Sequence, residues 1–206
     1  MIDELLRNSR LIAILRKLPF AKIHQSGQAL YDGGVRLFEV TMESENALQA
    51  IQTLSEWQVT VGAGTVLDAE TARLAILHGA GFLVTPCLRA DVIEMGRRYN
   101  VPVITGAFTP SEILAAFEMG SNYVKVFPAG ALGPDYIKDV KGPLAHIPIV
   151  PSGGVTLDNA KRFIDSGALA VGVGSSLTDR KLIERDDFAA IERLARDYVR
   201  AVGQAS

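Results

Sequence analysis

A (β/α)8 barrel is the fold class that the sequence predicts, and three observations predict it. Short, β-rich apolar runs recur along the chain, and segments of helical period fill the gaps between them. The runs are almost continuously apolar, which is typical of parallel strands buried on both faces. Eight of them are present, the number that closes into a TIM barrel. The predicted strands are 11–15, 36–41, 59–63, 82–85, 101–105, 123–127, 147–150 and 168–173.

Each predicted strand is followed by a segment with the signals of a helix. Asp68, Thr109 and Thr156 stand at N-cap positions, where a side-chain oxygen accepts from the first free amides of a helix. These local signals agree with the alternating pattern of the strands. The predicted helices are 20–32, 44–56, 68–79, 89–99, 110–119, 133–140, 156–166 and 184–202.

An open, doubly wound sheet is the alternative fold. Such sheets usually have fewer strands and a glycine-rich dinucleotide turn after the first one, whereas here the first strand runs into Arg16-Lys17-Leu18-Pro19. No linker divides the 206 residues. We therefore expect residues 1–206 to form a single barrel domain.

Composition and charge exclude several classes of protein. Twenty-one basic and twenty-three acidic residues leave a formal charge of −2, without a basic block that could bind a nucleic acid. The sequence contains neither a signal peptide nor a run of about 20 apolar residues that could span a membrane. We expect a cytoplasmic protein with no nucleic-acid or membrane partner. The single cysteine, Cys87, excludes an intramolecular disulfide, and we expect it to be a buried, inert thiol.

Lys125 is the residue that points most directly to chemistry. It lies in the apolar run YVKVF, where alternation places Tyr123, Lys125 and Phe127 on one face and the two valines on the other. Desolvation at such a position disfavours the ammonium form. The side chain is either a nucleophilic amine or, as for many lysines in barrels, a solvated or ion-paired group.

Glu39 is a second ionisable residue on the interior face of a predicted strand. An interior carboxylate is unfavourable unless it is paired. One interpretation is an ion pair with Lys125 that has no chemical role. The other is an amine nucleophile with an acid/base partner, which a Schiff-base mechanism requires.

Glycine-rich sequences at two late strand ends indicate a phosphate site. PSGGV, 151–155, and VGVGSS, 171–176, follow the seventh and eighth strands, where barrels commonly bind phosphate through backbone amides. GAGTV, 62–66, permits close approach of a substrate, and Thr65 offers a hydroxyl. The three histidines lack metal-ligand spacing, so we expect no metal and no cofactor.

The ordered set of strand-end motifs resembles one family throughout nearly the whole chain. IAILR, GGVRLFEVT, VGAGTV, VTP, VKVFPA, PSGGV and AVGVGSSL are similar to motifs of the class I aldolases of 2-keto-3-deoxy-6-phosphogluconate (KDPG) and 4-hydroxy-2-oxoglutarate (KHG). The resemblance implies a metal-independent enzyme that is typically a homotrimer. Its substrates would be a keto acid and a phosphosugar.

The resemblance also implies a role for each matching residue. Lys125 would form the Schiff base, and Glu39 would be the general acid/base. Thr65 would contact the pyruvate portion, while Pro86 and Phe127 would shape its pocket. The phosphate would be bound by Ser152, Gly153, Gly154, Gly174 and Ser175.

One departure from the family pattern affects substrate binding. Many members have an arginine after the second strand, where this chain reads TMESE with Glu43. A carboxylate cannot bind the substrate carboxylate, so we expect Arg16 to replace that arginine with its planar pair of donors. Ser152, which replaces a threonine, retains the hydroxyl.

The expected activity is reversible cleavage of KDPG to pyruvate and glyceraldehyde 3-phosphate. Cleavage of the galactonate epimer of KDPG and cleavage of KHG are close alternatives to this activity. A phosphosugar epimerase or isomerase, or a non-catalytic phosphosugar-binding barrel, would share the glycine-rich loops but would not need the amine of Lys125.

Overall fold

Eight parallel strands form a single, nearly closed sheet in the computed structural model, which describes residues 2–203. The strand order is β7-β6-β5-β4-β3-β2-β1-β8. The two end strands meet where Ser152 bridges to Gly172 and where the Leu169 amide donates to the Ile149 carbonyl at 2.9 Å. The strands are β1 Leu11–Leu15, β2 Leu37–Thr41, β3 Thr60–Gly64, β4 Phe82–Val84, β5 Val103–Ala107, β6 Tyr123–Val126, β7 Ile149–Pro151 and β8 Val171–Val173.

Helices alternate with these strands and surround them, so the predicted (β/α)8 TIM barrel is confirmed. Among residues 2–203, no helix is both long and apolar enough to cross a membrane. Short 3-10 turns, Phe20–Lys22 and Ala129–Ala131, precede the second and the seventh of these helices. The helices are α1 Ile2–Ser9, α2 Ile23–Asp32, α3 Ala47–Ser55, α4 Ala69–Leu77, α5 Ala90–Tyr99, α6 Pro110–Glu118, α7 Gly133–Lys141, α8 Leu157–Asp165, α9 Arg180–Glu184 and α10 Phe188–Val202.

Five predicted strands begin one to three residues too early, and β5 and β8 show the reason. β5 begins at Val103 rather than at 101, because the Val101 amide still caps α5 by donating to the Gly96 carbonyl and Pro102 has no amide to donate. β8 begins at Val171 rather than at 168, because the Ala168 amide donates to Phe163 at the end of α8. Helix ends, and not apolar content, therefore set these boundaries.

The C-terminal helix predicted as 184–202 is two helices. α9 begins after Asp179, whose carboxylate accepts from the amides of Lys181 and Leu182. α10 begins after Asp187, which accepts from the Ala190 amide. Between the two helices, Asp186 has a positive φ of 59°, which no helix can include.

Strand alternation divides the apolar side chains between two cores. The larger core lies between the sheet and the helices and includes Phe38, Val40, Val124 and Val126. The smaller core fills the N-terminal part of the barrel interior. Its members are Ile2, Leu6, Ile12, Leu37, Phe82, Val84, Ile104, Tyr123, Val150 and Ala170. The interior face of β6 therefore carries Tyr123 and Lys125, as the alternation predicts.

Helix α1 closes the N-terminal end of the barrel, and the sequence analysis missed it. Ile2 and Leu6 are one helical turn apart and are buried in the interior core. Burial, with the nearby Asp3 carboxylate, raises the pKa of Tyr123 to about 12. The neutral phenol donates to Asp3 at 3.2 Å and ties α1 to β6.

The closing helix gives a prediction for stability. Replacement of the fully buried Leu6 by alanine is expected to lower the free energy of unfolding by about 2–5 kcal/mol, because it leaves a cavity in the interior core. The matched substitution Leu5→Ala, at a half-buried position on the same helix, should have a smaller effect. Urea denaturation of both variants measures the difference, and equal losses would show that α1 does not close the core.

Candidate active site

A cavity of about 470 Å³ opens at the C-terminal ends of the barrel strands. Four basic residues and one acidic residue line it, namely Arg16, Lys17, Lys125, Arg180 and Glu39. All the residues predicted for the site border this cavity, although they come from seven strand ends. They are Arg16, Glu39, Thr65, Pro86, Lys125, Phe127, Ser152, Gly153, Gly154, Gly174 and Ser175.

Lys125 extends into the cavity from the middle of β6. Only 7% of the residue is exposed, and its Nζ lies 5.2 Å from the centre of the Phe127 ring. The ring is two residues further along the same face, as expected for a strand. Barrel packing therefore holds the amine in a largely desolvated position beside an aromatic wall.

Glu39 faces Lys125 from the interior of β2. Its Oε1 lies 3.8 Å from Lys125 Nζ, and only 3% of Glu39 is exposed. At this distance the two groups attract each other without a direct hydrogen bond. The carboxylate and the amine therefore remain available to groups that enter the cavity between them.

Glu39 has room for its side chain because Gly64 has none. A Cβ at Gly64 would lie 2.0 Å from Glu39 Oε1 and 2.6 Å from Cδ. Gly64 pairs with Thr41 in the parallel register of β2 and β3. The glycine that ends β3 therefore decides where the carboxylate can lie.

Thr65 follows Gly64 in a conformation that threonine rarely adopts. Its φ is +56°, which is an outlier for a β-branched residue. Its hydroxyl accepts a hydrogen bond from Arg16 Nη2 at 3.3 Å. Strained residues of this kind occur where the surrounding structure fixes a functional group in position.

Arg16 reaches the cavity from the end of β1 and forms an ion pair that the sequence analysis did not anticipate. Arg16 Nε lies 2.8 Å from Glu43 Oε1. Glu43 is the residue for which the resemblance implies an arginine. The opposite charges of Arg16 and Glu43 were the only sequence signal for this ion pair. Because the two residues are far apart in the sequence, that signal did not indicate a contact.

Pro86 and Phe127 form walls of the cavity. Gly106 in β5 permits the first of these, because a Cβ there would lie 2.2 Å from the Pro86 carbonyl carbon. The prediction that Cys87 is buried was wrong, since its thiol is exposed. The Thr85 hydroxyl donates to the backbone carbonyl of Cys87 at 2.7 Å, so Cys87 is held through its backbone and not through its thiol.

The glycine turn after β7 borders the opposite part of the site. Gly153 and Gly154 have φ values of +79° and +81°. A Cβ at Gly153 would lie 2.9 Å from the Phe127 ring. The Gly130 amide donates to the Gly153 carbonyl at 2.7 Å, so this turn is bound to the loop that follows Lys125.

Two further strand ends complete this part of the cavity. Gly174 and Ser175 follow β8, and the Ser176 hydroxyl donates to the Val155 carbonyl at 2.8 Å. Within the described residues, the amides of Gly154 and Ser175 have no acceptor. Helix α8 begins just beyond the glycine turn, where the Thr156 amide donates to Asn159 Oδ1 at 2.8 Å. Free amides near a helix N-terminus favour an anion.

Some cavity residues were not identified from the sequence. Arg180 and Lys17 add positive charge, and Ser176 and Thr178 add hydroxyls. Arg180 lies beyond the VGVGSS motif, where its charge was the only signal. In the chain from residue 2 to residue 203, no group of three or more His, Cys, Asp or Glu side chains could hold a metal ion.

Comparison with known proteins gives consistent matches. A family model described as "Aldolase: KDPG and KHG aldolase" matches residues 2–194. The 2-dehydro-3-deoxy-phosphogluconate aldolase of Pseudomonas aeruginosa is 34% identical over 200 residues, which cover 95% of this chain and 90% of the relative. The 2-dehydro-3-deoxy-6-phosphogalactonate aldolase of Escherichia coli is 34% identical over 171 residues, which cover 81% and 83%.

A solved structure agrees with these matches. The crystal structure of 2-keto-3-deoxy-6-phospho-gluconate aldolase from Zymomonas mobilis superimposes with a TM-score of 0.89 at 27% identity. The superposition covers 99% of this chain and 98% of the other. The similarity therefore includes the whole barrel and every strand end that lines the cavity.

The backbone of Thr65 gives a test of stored strain. Thr65→Gly is expected to leave the free energy of unfolding unchanged or to raise it by up to about 1 kcal/mol, because glycine adopts positive φ freely. Thr60→Gly, at the first residue of the preceding strand β3, should instead lower it by about 1 kcal/mol. Urea denaturation compares the two, and equal destabilisation would mean that Thr65 is not strained.

Proposed function

Because this chain belongs to the KDPG and KHG aldolase family, we propose that it cleaves KDPG reversibly to pyruvate and glyceraldehyde 3-phosphate through a Schiff base at Lys125. The buried amine of Lys125, 3.8 Å from the Glu39 carboxylate in a strand-end cavity, is the observation that carries the proposal. This arrangement unites a nucleophile with an acid/base group.

The proposed reaction begins when the lone pair of Lys125 Nζ attacks the keto carbon of the substrate. The resulting carbinolamine loses water and becomes an iminium ion. Removal of the proton from the C4 hydroxyl then breaks the C3–C4 bond, and the electron pair moves into the iminium. The products of this step are an aldehyde and an enamine, which is protonated at C3 and hydrolysed to pyruvate and free Lys125.

Glu39 is the proposed group that moves these protons. Its Oε1 is too far from Nζ for a direct hydrogen bond but close enough to contact a hydroxyl on the carbon that Nζ attacks. The same carboxylate can accept the C4 hydroxyl proton and return a proton to C3. General acid/base assistance of this kind accelerates reactions by about 10²–10⁴-fold.

Arg16 and Thr65 are the proposed partners of the keto-acid end of the substrate. Arg16 Nη2 and the Thr65 hydroxyl lie 3.3 Å apart at the cavity wall, so both can contact one carboxylate. Pro86 and Phe127 enclose the pyruvate carbons between them. A guanidinium binds a carboxylate with two parallel hydrogen bonds, which also fixes the orientation of the keto carbon.

The phosphate end is proposed to lie against the turns after β7 and β8. The amides of Gly154 and Ser175 are available donors, and glycine at 153, 154 and 174 keeps the backbone open to an anion. Ser152 adds a hydroxyl at the same edge. The positive charge of Arg180 at the cavity wall favours a phosphorylated substrate over a neutral one.

The galactonate epimer is a second candidate substrate. It is favoured by the relative named 2-dehydro-3-deoxy-6-phosphogalactonate aldolase, which is as similar in identity as the relative named for the gluconate compound. The two substrates differ at one stereocentre. Rates of pyruvate release from each, measured at equal concentrations, decide between them.

A homotrimer in the cytoplasm is the proposed state of the protein. Helix α4 exposes Leu74 and Leu77, which are 47% and 61% accessible, and an interface between copies would cover such apolar side chains. Light scattering measures the mass of the assembly against the 22.1 kDa chain. A monomer would contradict this part of the proposal.

Covalent trapping tests the Schiff base. Incubation with pyruvate and borohydride is expected to label the peptide that contains Lys125, because reduction converts the imine into a stable amine. Lys125→Met should abolish both labelling and cleavage of KDPG. Mass spectrometry of the digested protein locates the adduct, with the exposed Lys138 of α7 as the internal control. An epimerase or a binding protein predicts no label, and cleavage at the native rate by Lys125→Met would refute the mechanism.

Displacement of the Glu39 carboxylate tests its role in proton transfer. Gly64→Ala is expected to lower kcat for KDPG cleavage by about 10²–10⁴-fold, because the new methyl group occupies the place of Oε1. Glu39→Gln, which keeps the shape of the side chain but cannot carry the proton, should show a similar loss. Gly142→Ala, where a Cβ meets only one carbonyl at 3.2 Å, is the control. A native kcat in Glu39→Gln would exclude the carboxylate.

A further inference from the structure

The turn between β2 and α3 places a carboxylate in contact with a basic residue of the cavity wall. Glu43 Oε1 accepts from Arg16 Nε at 2.8 Å. Among the described residues, those that line the cavity include Arg16 but not Glu43. Arg16 therefore borders the cavity, whereas its carboxylate partner does not.

The N–H groups of Arg16 that have no acceptor in the described part of the chain indicate what the ion pair with Glu43 does. A guanidinium has five N–H groups in a rigid plane. Glu43 accepts from Nε and the Thr65 hydroxyl from Nη2, so three N–H groups remain, two on Nη1 and one on Nη2. The adjacent Nη1 and Nη2 donors are the pair that binds a carboxylate with two parallel bonds.

The backbone around the pair is held independently of Glu43. The Ser44 hydroxyl accepts from the Lys17 amide at 2.8 Å and lies 3.0 Å from the Thr41 hydroxyl. Lys17, Asn46 and Thr65 all have positive φ values of 50–56°. Three strained residues in one small region indicate a backbone that the surrounding structure over-determines. A substitution at Glu43 should therefore leave the turn in place.

We propose that Glu43 is a positioning residue, which holds Arg16 so that its free Nη1 and Nη2 donors face the carboxylate of the keto-acid substrate. The proposal rests on the proposed function of the site. An arginine side chain has many rotamers, and half of the Arg16 side chain is exposed, so an unrestrained guanidinium would sample many orientations. The ion pair restricts it before the substrate binds.

Electrostatics and positioning predict opposite signs for the effect of Glu43. If Glu43 acted only through its charge, its removal would strengthen binding of an anionic keto acid, because like charges repel. If Glu43 positions Arg16, its removal weakens binding although a negative charge is lost. The direction of the change therefore distinguishes the two roles without reference to its size.

The experiment measures the pyruvate concentration that half-saturates borohydride labelling of Lys125, together with KM and kcat for KDPG. In Glu43→Ala, both the half-saturating concentration and KM are expected to rise about tenfold or more, which corresponds to the loss of a hydrogen bond between charged groups. Glu43→Gln, which retains a weaker acceptor, should show a smaller rise. In both variants kcat should change by less than about twofold.

Three controls distinguish a positioning role of Glu43 from other effects of its substitution. Glu45→Gln removes an exposed carboxylate from the same turn and should leave all constants unchanged. Arg16→Ala should weaken pyruvate binding, and Arg16→Ala/Glu43→Ala should be no weaker, because Glu43 acts through Arg16. Labelling by pyruvamide, which has no carboxylate, should be equal in all variants, whereas a general structural defect would reduce it.

The outcomes separate this proposal from the function on which it rests. Absence of pyruvate labelling in the unaltered protein would refute the Schiff base itself. Normal labelling combined with unchanged or tighter pyruvate binding in Glu43→Ala would overturn the positioning role alone. An additional loss when Glu43→Ala is added to Arg16→Ala would also overturn it, since Glu43 would then act by another route.

Discussion

The interior position of Lys125 and Glu39 is the constraint on which the rest of the site depends. Both are almost completely buried and come from strands that are not neighbours in the sheet. Buried charges are unfavourable alone, so each group needs the other, and closure of the barrel brings them to 3.8 Å. Gly64 makes this possible because any side chain there would occupy the place of the carboxylate. An amine and a carboxylate in one cavity are the minimum that imine chemistry requires.

Hydrogen bonds between neighbouring loops hold the two ends of the cavity in fixed relation to the amine. On one side, the Gly130 amide binds the Gly153 carbonyl and connects the loop after Lys125 to the glycine turn. On the other side, Arg16 connects the ends of β1 and β3 through Thr65. In the proposed mechanism, these contacts align a substrate that has a carboxylate at one end and a phosphate at the other, with its reacting carbon at the amine.

The distribution of charge also suits such a substrate. The chain as a whole carries a formal charge of −2, whereas four of the five charged residues that line the cavity are basic. A positive cleft in a slightly acidic protein raises the local concentration of anionic metabolites. Glu43 fits this pattern because it lies outside the cavity wall, where its charge orients Arg16 rather than facing the substrate.

The sequence by itself determined the eight βα units, the interior face of each strand and the family, because periodicity and strand-end motifs are local. All eleven residues that it predicted for the site border the cavity, since parallel strands in a barrel end at one face. Only the tertiary structure decided the closing helix α1, the late start of β5, the division before α10, the exposure of Cys87 and the pairing of Arg16 with Glu43. Each of these depends on contacts between residues far apart in the chain or on competition between a helix end and a strand for the same amides, and neither leaves a period in the sequence.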